Sequence, residues 1–267
     1  MEDKKMIVFN KICKTFKTRR QLIEAVRDYS MEIDRGEFVS ILGPSGCGKS
    51  TIIRMMDGII KPTSGDIFIE GTKVSAMNKM PPEVLRKMGF IFQQANMLPW
   101  YTMRENVALP LKVFGLKGKA WEDNVDSLMK MIGLDGLANE YPTQVSLGKC
   151  QLAGVIRAMV YNPDILLMDE PFGSLDDMSR EQMDIELLDI WKKTRKTIIF
   201  ITHSVEEAVL LSDRIYVMGT NPGRLTDVVE IDLPRPRTLD MTSDPRFVAY
   251  EHRLTELIGE LDLSKIK

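Results

Sequence analysis

Nine residues, GPSGCGKST at 43–51, restrict the fold more than any other stretch of the sequence. They fit the spacing G-x-x-x-x-G-K-[ST]. They lie directly after the β-rich apolar run GEFVSILG (36–43) and directly before KSTIIRMMDGI, a helical pattern that Gly58 stops. Strand, glycine-rich turn and helix in this order form a cradle for phosphate. Gly43, Gly46 and Gly48 allow backbone N–H groups to turn inward around phosphate oxygens, and Pro44, Ser45, Cys47 and Thr51 complete the loop. The helix dipole and Lys49 add positive charge there, and Ser50 offers a hydroxyl to Mg2+.

The surrounding pattern alternates strands with helices. GDIFIEG and MGFIFQQ are two further short strands bounded by glycine. From about Met97 to Val160 the spacing turns helical, in RENVALPLKVFG, WEDNVDSLMKMIG and LGKCQLAGVIRAMVY. Strands return as DILLMDE, KTIIFITH and DRIYVMG, with helical segments starting near Ser179 and Val205. Such alternation implies a mostly parallel sheet covered on both faces. The expected class is α/β: a P-loop NTPase-type, mostly parallel sheet core, an inserted α-helical subdomain and an N-terminal antiparallel β portion. NPGRLTDVVEIDL predicts a late antiparallel strand and PRPR a stiff linker. DPRFVAYEHRLTELIGEL predicts a closing helix, with Asp244 as N-cap, Pro245 first in the helix, and Phe247, Leu254, Leu257, Ile258 and Leu261 on one face.

A formal net charge of -2 supplies no global positive field for nucleic acid, so no nucleic-acid partner is expected. Three cysteines without a C-x-x-C pair argue for a reducing compartment and against a disulfide framework or zinc site. MEDKKMIVFNK holds no apolar stretch long enough for a signal peptide, and no apolar run approaches the ~18–20 residues that cross a bilayer. The expectation is a soluble, cytoplasmic chain whose membrane role, if any, comes through a partner.

A phosphate cradle needs a second acid to hold its metal. In DILLMDE, four apolar residues lead to Asp169 at the C-terminal edge of a buried strand, where sites in open α/β sheets form. Asp169 is expected to hold Mg2+ through water, and Glu170 to polarise an attacking water. His203 ends TIIFITH at the same expected edge. It either reaches a γ-phosphate or is an ordinary satisfied loop histidine. VSLGKCQLAGVIRA (145–158) is similarly open: a capped helix start at Ser146, or a clamp for the end of a nucleotide.

Together these residues resemble the ATPase subunit of ATP-binding cassette (ABC) transporters, and the resemblance covers nearly the whole chain. Beyond GPSGCGKST and LLMDE, IFQQ resembles the family's Q-loop and puts a switch glutamine, also a metal ligand, at Gln93. GSLD resembles its D-loop, with Ser174, Leu175 and Asp176, and His203 matches its switch histidine. Phe16 in CKTF stands where the family stacks an aromatic ring on adenine. VSLGKCQ occupies the place of the signature loop, with Ser146, Gly148 and Gln151 matching and Leu147 replacing the first glycine. The resemblance implies a RecA-like nucleotide-binding core (1–94 and 161–232) with the N-terminal β subdomain, a helical signature subdomain (95–160), and a Pro-rich linker with C-terminal helix (233–267).

It also implies Mg2+ and ATP, hydrolysed between two copies in a head-to-tail dimer on the cytoplasmic face of the inner membrane. Permease subunits would dock near Gln93–Trp100, and an external solute-binding protein would act indirectly. MLPWYTMRENVALPL, VMGTNPGRL and LPRPR…DPRF resemble the importer ATPases for nitrate, sulfonate, taurine and bicarbonate. Leu147 is expected to keep the backbone off the phosphate, costing on the order of 1.5–3 kcal/mol of clamp energy and slowing turnover. Cys47 and Cys150 are expected to face the nucleotide, so that maleimide blocks hydrolysis. Two rivals, a soluble ABC ATPase outside transport and a P-loop kinase or GTPase, lack support. The first needs coiled-coil or tandem-cassette sequence, and the second does not carry VSLGKCQ, GSLD and His203 together.

Overall fold

A computed structural model describes residues 5–19, 21–77 and 79–263, the last two by backbone only. The outermost residues of the expected segments, 1–4 and 264–267, lie outside this range. In chain order the elements are β1 (Lys5–Lys17), β2 (Leu22–Asp34), β3 (Phe38–Leu42), α1 (Lys49–Met56), β4 (Ser64–Ile69), β5 (Thr72–Lys73), α2 (Pro82–Leu85), β6 (Met88–Ile91) and α3 (Met103–Val113). There follow α4 (Lys119–Met131), α5 (Leu147–Met159), β7 (Ile165–Asp169), α6 (Asp177–Thr194), β8 (Thr197–Thr202), α7 (Val205–Leu211), β9 (Arg214–Gly219), β10 (Arg224–Glu230) and α8 (Pro245–Leu263). They form two compact units, Met1–Leu85 with Arg195–Lys267, and Arg86–Thr194.

The first unit holds an antiparallel sheet in the order β2-β1-β4-β5 and the strand run β10-β9-β3-β8. β3 lies parallel to both β8 and β9, and β10 runs antiparallel to β9. All five residues of β3 and all six of β8 are buried, as expected of strands covered on both faces. On α8, Phe247 and Leu254 are fully buried and Leu257 and Ile258 half-buried, the face that the spacing predicts.

The PRPR segment is a fastened strap rather than a free linker. Buried Arg237 donates to the carbonyls of Val209 (2.9 Å), Leu210 (3.2 Å) and Ser212 (2.6 Å), and Arg235 donates to Leu211 O (2.7 Å). The last carbonyls of a helix have no intrahelical partner, and these two cations supply one at the end of α7. Burial pulls the Arg237 guanidinium down to about 10.

In the second unit β6 and β7 pair in parallel, with Ile91 opposite Met168. Met103, Val107, Val125, Met129, Ala153 and Ile156 from α3, α4 and α5 form its core. Thr102 starts α3 with a full capping box to Glu105. The second unit, 86–194, contains the whole expected helical subdomain (95–160) together with β6, β7 and α6. β6 packs closely on α5, where a Cβ on Gly89 would stand 2.5 Å from the Ala158 carbonyl oxygen. Among the described residues, no helix is long and apolar enough to cross a membrane.

Candidate functional site

In the first unit the chain leaves β3 at Gly43 under tight constraint. A Cβ there would lie 2.4 Å from the Met218 carbonyl oxygen on β9, so only glycine fits. Gly46 (φ 80°) and Gly48 (φ 103°) take the left-handed conformation that turns N–H groups to one side. Gly48 is the N-cap of α1 and brings no side-chain cap. Ser45 and Gly46 form the exposed rim. Lys49 is 5% exposed, and its ammonium donates to the carbonyls of Gly43 (2.7 Å) and Pro44 (3.2 Å), folded over the loop it serves. Ser50 and Thr51 are half-buried in the first turn.

The register of β3 and β8 sets Leu42 opposite Thr202, so Gly43 and His203 leave the unit at the same edge. His203 is exposed between two anchors that the sequence analysis missed. The Thr202 hydroxyl hydrogen-bonds the buried Glu207 carboxylate and accepts from Ser204 N (2.9 Å), while Ser204 Oγ accepts from Glu207 N (3.2 Å). The signal was present as the capping spacing S-x-x-E at 204–207. Phe16 is half-buried on β1 opposite Ile23, outside the core, with the Lys14 ammonium 5.0 Å from its ring centre.

The second unit carries the acids. β7 is buried through Met168, and Asp169 and Glu170 emerge half-buried at its end. The same register brings Gln93, two residues past Ile91, to that edge. Glu170 takes φ 48°, a left-handed conformation uncommon in a residue with a side chain. A Cβ on Gly173 would stand 3.6 Å from both Gln93 Nε2 and Glu170 Cβ, so the glutamine amide lies beside the loop that follows the acids. Asp176 caps the start of α6 through Ser179 N (3.1 Å), and hydrogen bonds from Ser179 hold its carboxyl below the usual range.

α5 begins at Ser146 in N-cap geometry (φ -62°, ψ 152°), yet its side chain makes no cap hydrogen bond. Ser146, Leu147 (53% exposed) and Lys149 are exposed. They line a cleft of about 690 Å³ together with Asp176, Met178 and Met183. Of the two readings of this stretch, the ordinary capped helix loses its defining bond.

Three expected residues are buried. Gln151 is 1% exposed and does not reach the cleft opening. Its amide donates to Gln93 O (2.9 Å) and Ser174 Oγ (3.2 Å), tying the two flanking loops to α5. Cys150 points into the helical core, its thiol on the carbonyls of Pro142 (3.7 Å) and Val145 (3.9 Å), and burial raises its pKa rather than lowering it. Cys47 is 1% exposed, its sulfur packed inward against Gly43 of the same loop. Neither thiol is open to maleimide.

Gln93–Trp100 also divides. Trp100 is 67% exposed, whereas Met97 packs on the helical core. Fully buried Asn106, which the sequence analysis did not single out, accepts from Leu98 N and donates to the carbonyls of Leu98, Tyr101 and Thr102, and so fixes the loop that presents the tryptophan. Among the described residues no three His, Cys, Asp or Glu side chains gather as a metal cluster. Magnesium requires none, because it takes few protein oxygens beside phosphate and water. The Ser50 hydroxyl, Asp169 carboxylate and Gln93 amide oxygen are donors of that hard kind.

Comparison with known proteins identifies relatives of the whole chain. Residues 26–173 match the ABC transporter family. An uncharacterized ABC transporter ATP-binding protein of Methanocaldococcus jannaschii is 37% identical over 96% of this chain and 92% of its own length. The aliphatic sulfonates import ATP-binding protein SsuB of Bacillus cereus is 36% identical over 89% of this chain and 90% of its own. The ATP-binding cassette MJ0796, solved as a dimer in a post-hydrolysis state bound to ADP and phosphate, superposes with a TM-score of 0.73 at 32% identity. That match covers 86% of this chain and all of that one. The chain therefore belongs to the ABC transporter family, as one of its ATP-binding proteins.

Proposed function

We propose that this chain is the ATP-hydrolysing subunit of a membrane importer, acting as a head-to-tail pair. The observation that carries the reading is a glycine loop whose Lys49 is folded onto its own carbonyls, together with an α5 start whose serine makes no cap hydrogen bond. Lys49 and the loop amides bind the β- and γ-phosphates, while Ser50, Asp169 and Gln93 hold magnesium. Magnesium, when bound, offsets negative charge on the phosphate oxygens. Glu170 accepts a proton from water as the water oxygen bonds to the γ-phosphorus. The bond to the bridging oxygen breaks, and ADP leaves. His203, held between Thr202 and Glu207, keeps that water or Glu170 in line. Ser146 and Gly148 of the second copy close on the γ-phosphate. Hydrolysis removes the group that bridges the copies, and the pair opens.

A phosphate-release assay on the purified chain tests this directly. ATP-dependent release that Glu170→Gln abolishes supports the reading, and equal release from both overturns it. Leu147 favours a second, milder reading, in which turnover is weak because an exposed side chain stands where the signature loop has glycine. Similarity to the sulfonate import protein supports an importer of small anionic solutes of the nitrate, sulfonate, taurine or bicarbonate type, with the chain on the cytoplasmic face of the membrane. The solute meets the permease and the external binding protein, so the importer arm is tested through docking. Trp100→Ala should reduce co-purification with the permease about tenfold, and unchanged recovery would remove Trp100 from the docking surface.

A further inference from the structure

The turn NPG between β9 and β10 has no part in the chemistry above, yet it lies directly behind the phosphate loop. Gly223 is buried. Its N–H donates to Ala25 O (3.0 Å) and its carbonyl accepts from Arg27 N (2.8 Å), which fixes the turn on β2. On its other side a Cβ would stand 2.1 Å from the Cys47 carbonyl oxygen, and also 2.7 Å from Ala25 O and from Met218 Cε. Cβ atoms do not approach a backbone oxygen that closely, so any side chain must displace either the loop or β2.

The same hairpin meets the loop at two more points. The Met218 carbonyl closes on Gly43, and the Met218 methyl lies 3.2 Å from where a Cβ of Gly48 would be. The loop is thus braced at its start, its middle and its end. We infer that Gly223 is a positioning residue for the phosphate loop. Its missing side chain lets the β9–β10 turn fit between β2 and the Cys47 carbonyl, holding the left-handed backbone of Gly46 and Gly48 in place. Because β2 pairs with the strand that carries Phe16, the turn also fixes the separation of that ring from the loop.

The inference rests on the ATP-binding reading, so its test has one arm without nucleotide. In Gly223→Ala, hydrogen–deuterium exchange across residues 43–50 of the nucleotide-free protein should rise. The Kd for a fluorescent ATP analogue should rise about tenfold, and KM should rise with it while kcat at saturation stays within about threefold. Arg224→Ala, at the exposed neighbour, should match wild type in every readout. A merely structural glycine would lower the thermal midpoint and leave Kd unchanged well below it. If Gly223→Ala does not fold, Met218→Ala decides, since it removes one brace without overlap and should raise Kd about threefold. Wild-type affinity in a folded variant overturns the inference, whether or not exchange changes. Should wild type itself bind no nucleotide, the ATP reading fails, and the exchange arm still decides whether Gly223 braces the loop.

Discussion

Two helices of this protein, α1 and α5, begin in opposite ways. The start of α1 is closed from behind. Gly43 abuts β9, Lys49 is buried on the loop's own carbonyls, and the only exposed positions are the rim residues Ser45 and Gly46. The start of α5 is open, with Ser146, Leu147 and Lys149 facing a cleft and no serine cap bond. Both offer a helix N-terminus, a position that favours an anion. The difference teaches that a helix N-terminus becomes a resident binding site only where the chain finishes its surroundings, while one left unfinished waits for a second surface. Here that surface is proposed to be another copy of the chain with its nucleotide.

Substitutions at each start can break this contrast. Lys49→Ala should have the largest effect, lowering ATP affinity of the isolated chain at least about a hundredfold through loss of a buried cation that bonds phosphate. Equilibrium titration reads it, and near-normal affinity would mean that the closed loop is not the phosphate site. Ser146→Ala should leave that affinity unchanged and weaken ATP-driven pairing about tenfold or more, the worth of one charge-assisted hydrogen bond. Leu147→Gly should strengthen pairing and speed phosphate release by a smaller factor. If neither rate nor pairing moves, the loop tolerates leucine.

The smallest effect lies at the far end of α1. Burial pushes the C-cap carboxyl of Asp57 up from 3.8 to about 6, although Ile59 N donates to it at 2.8 Å. A raised acid favours the protonated fold, so its contribution is present below about pH 4 and lost as pH rises through 6. Asp57→Asn, which can keep the Ile59 bond, should raise the thermal midpoint at pH 8 and leave it nearly unchanged at pH 4. A lowered midpoint at pH 8 would refute the sign.

What the sequence displayed was mostly local. β3, β7 and β8 are readable as short apolar runs because each is buried throughout or nearly so, and β10 because its exposure alternates. The phosphate loop was legible because its spacing encodes backbone geometry directly. Gln151 was not, since its burial is decided by partners 58 and 23 residues away. On a helix, its polarity reads as an exposed face. The same holds for Arg235 and Arg237, whose proline-flanked pattern suggests a spacer until the open carbonyls of α7 come into view. Glu170 gives no sequence signal of its left-handed backbone, and Gly223 is legible as a turn but not as a brace for the loop.

The central claim is that Ser146 of one copy and Lys49 of another grip the same nucleotide. Sedimentation of Glu170→Gln with saturating magnesium and ATP tests it most directly. The account predicts a nucleotide-dependent dimer that Ser146→Ala in the same background weakens. A species that binds ATP and remains monomeric at every concentration, alone and with its permease in detergent, would contradict it.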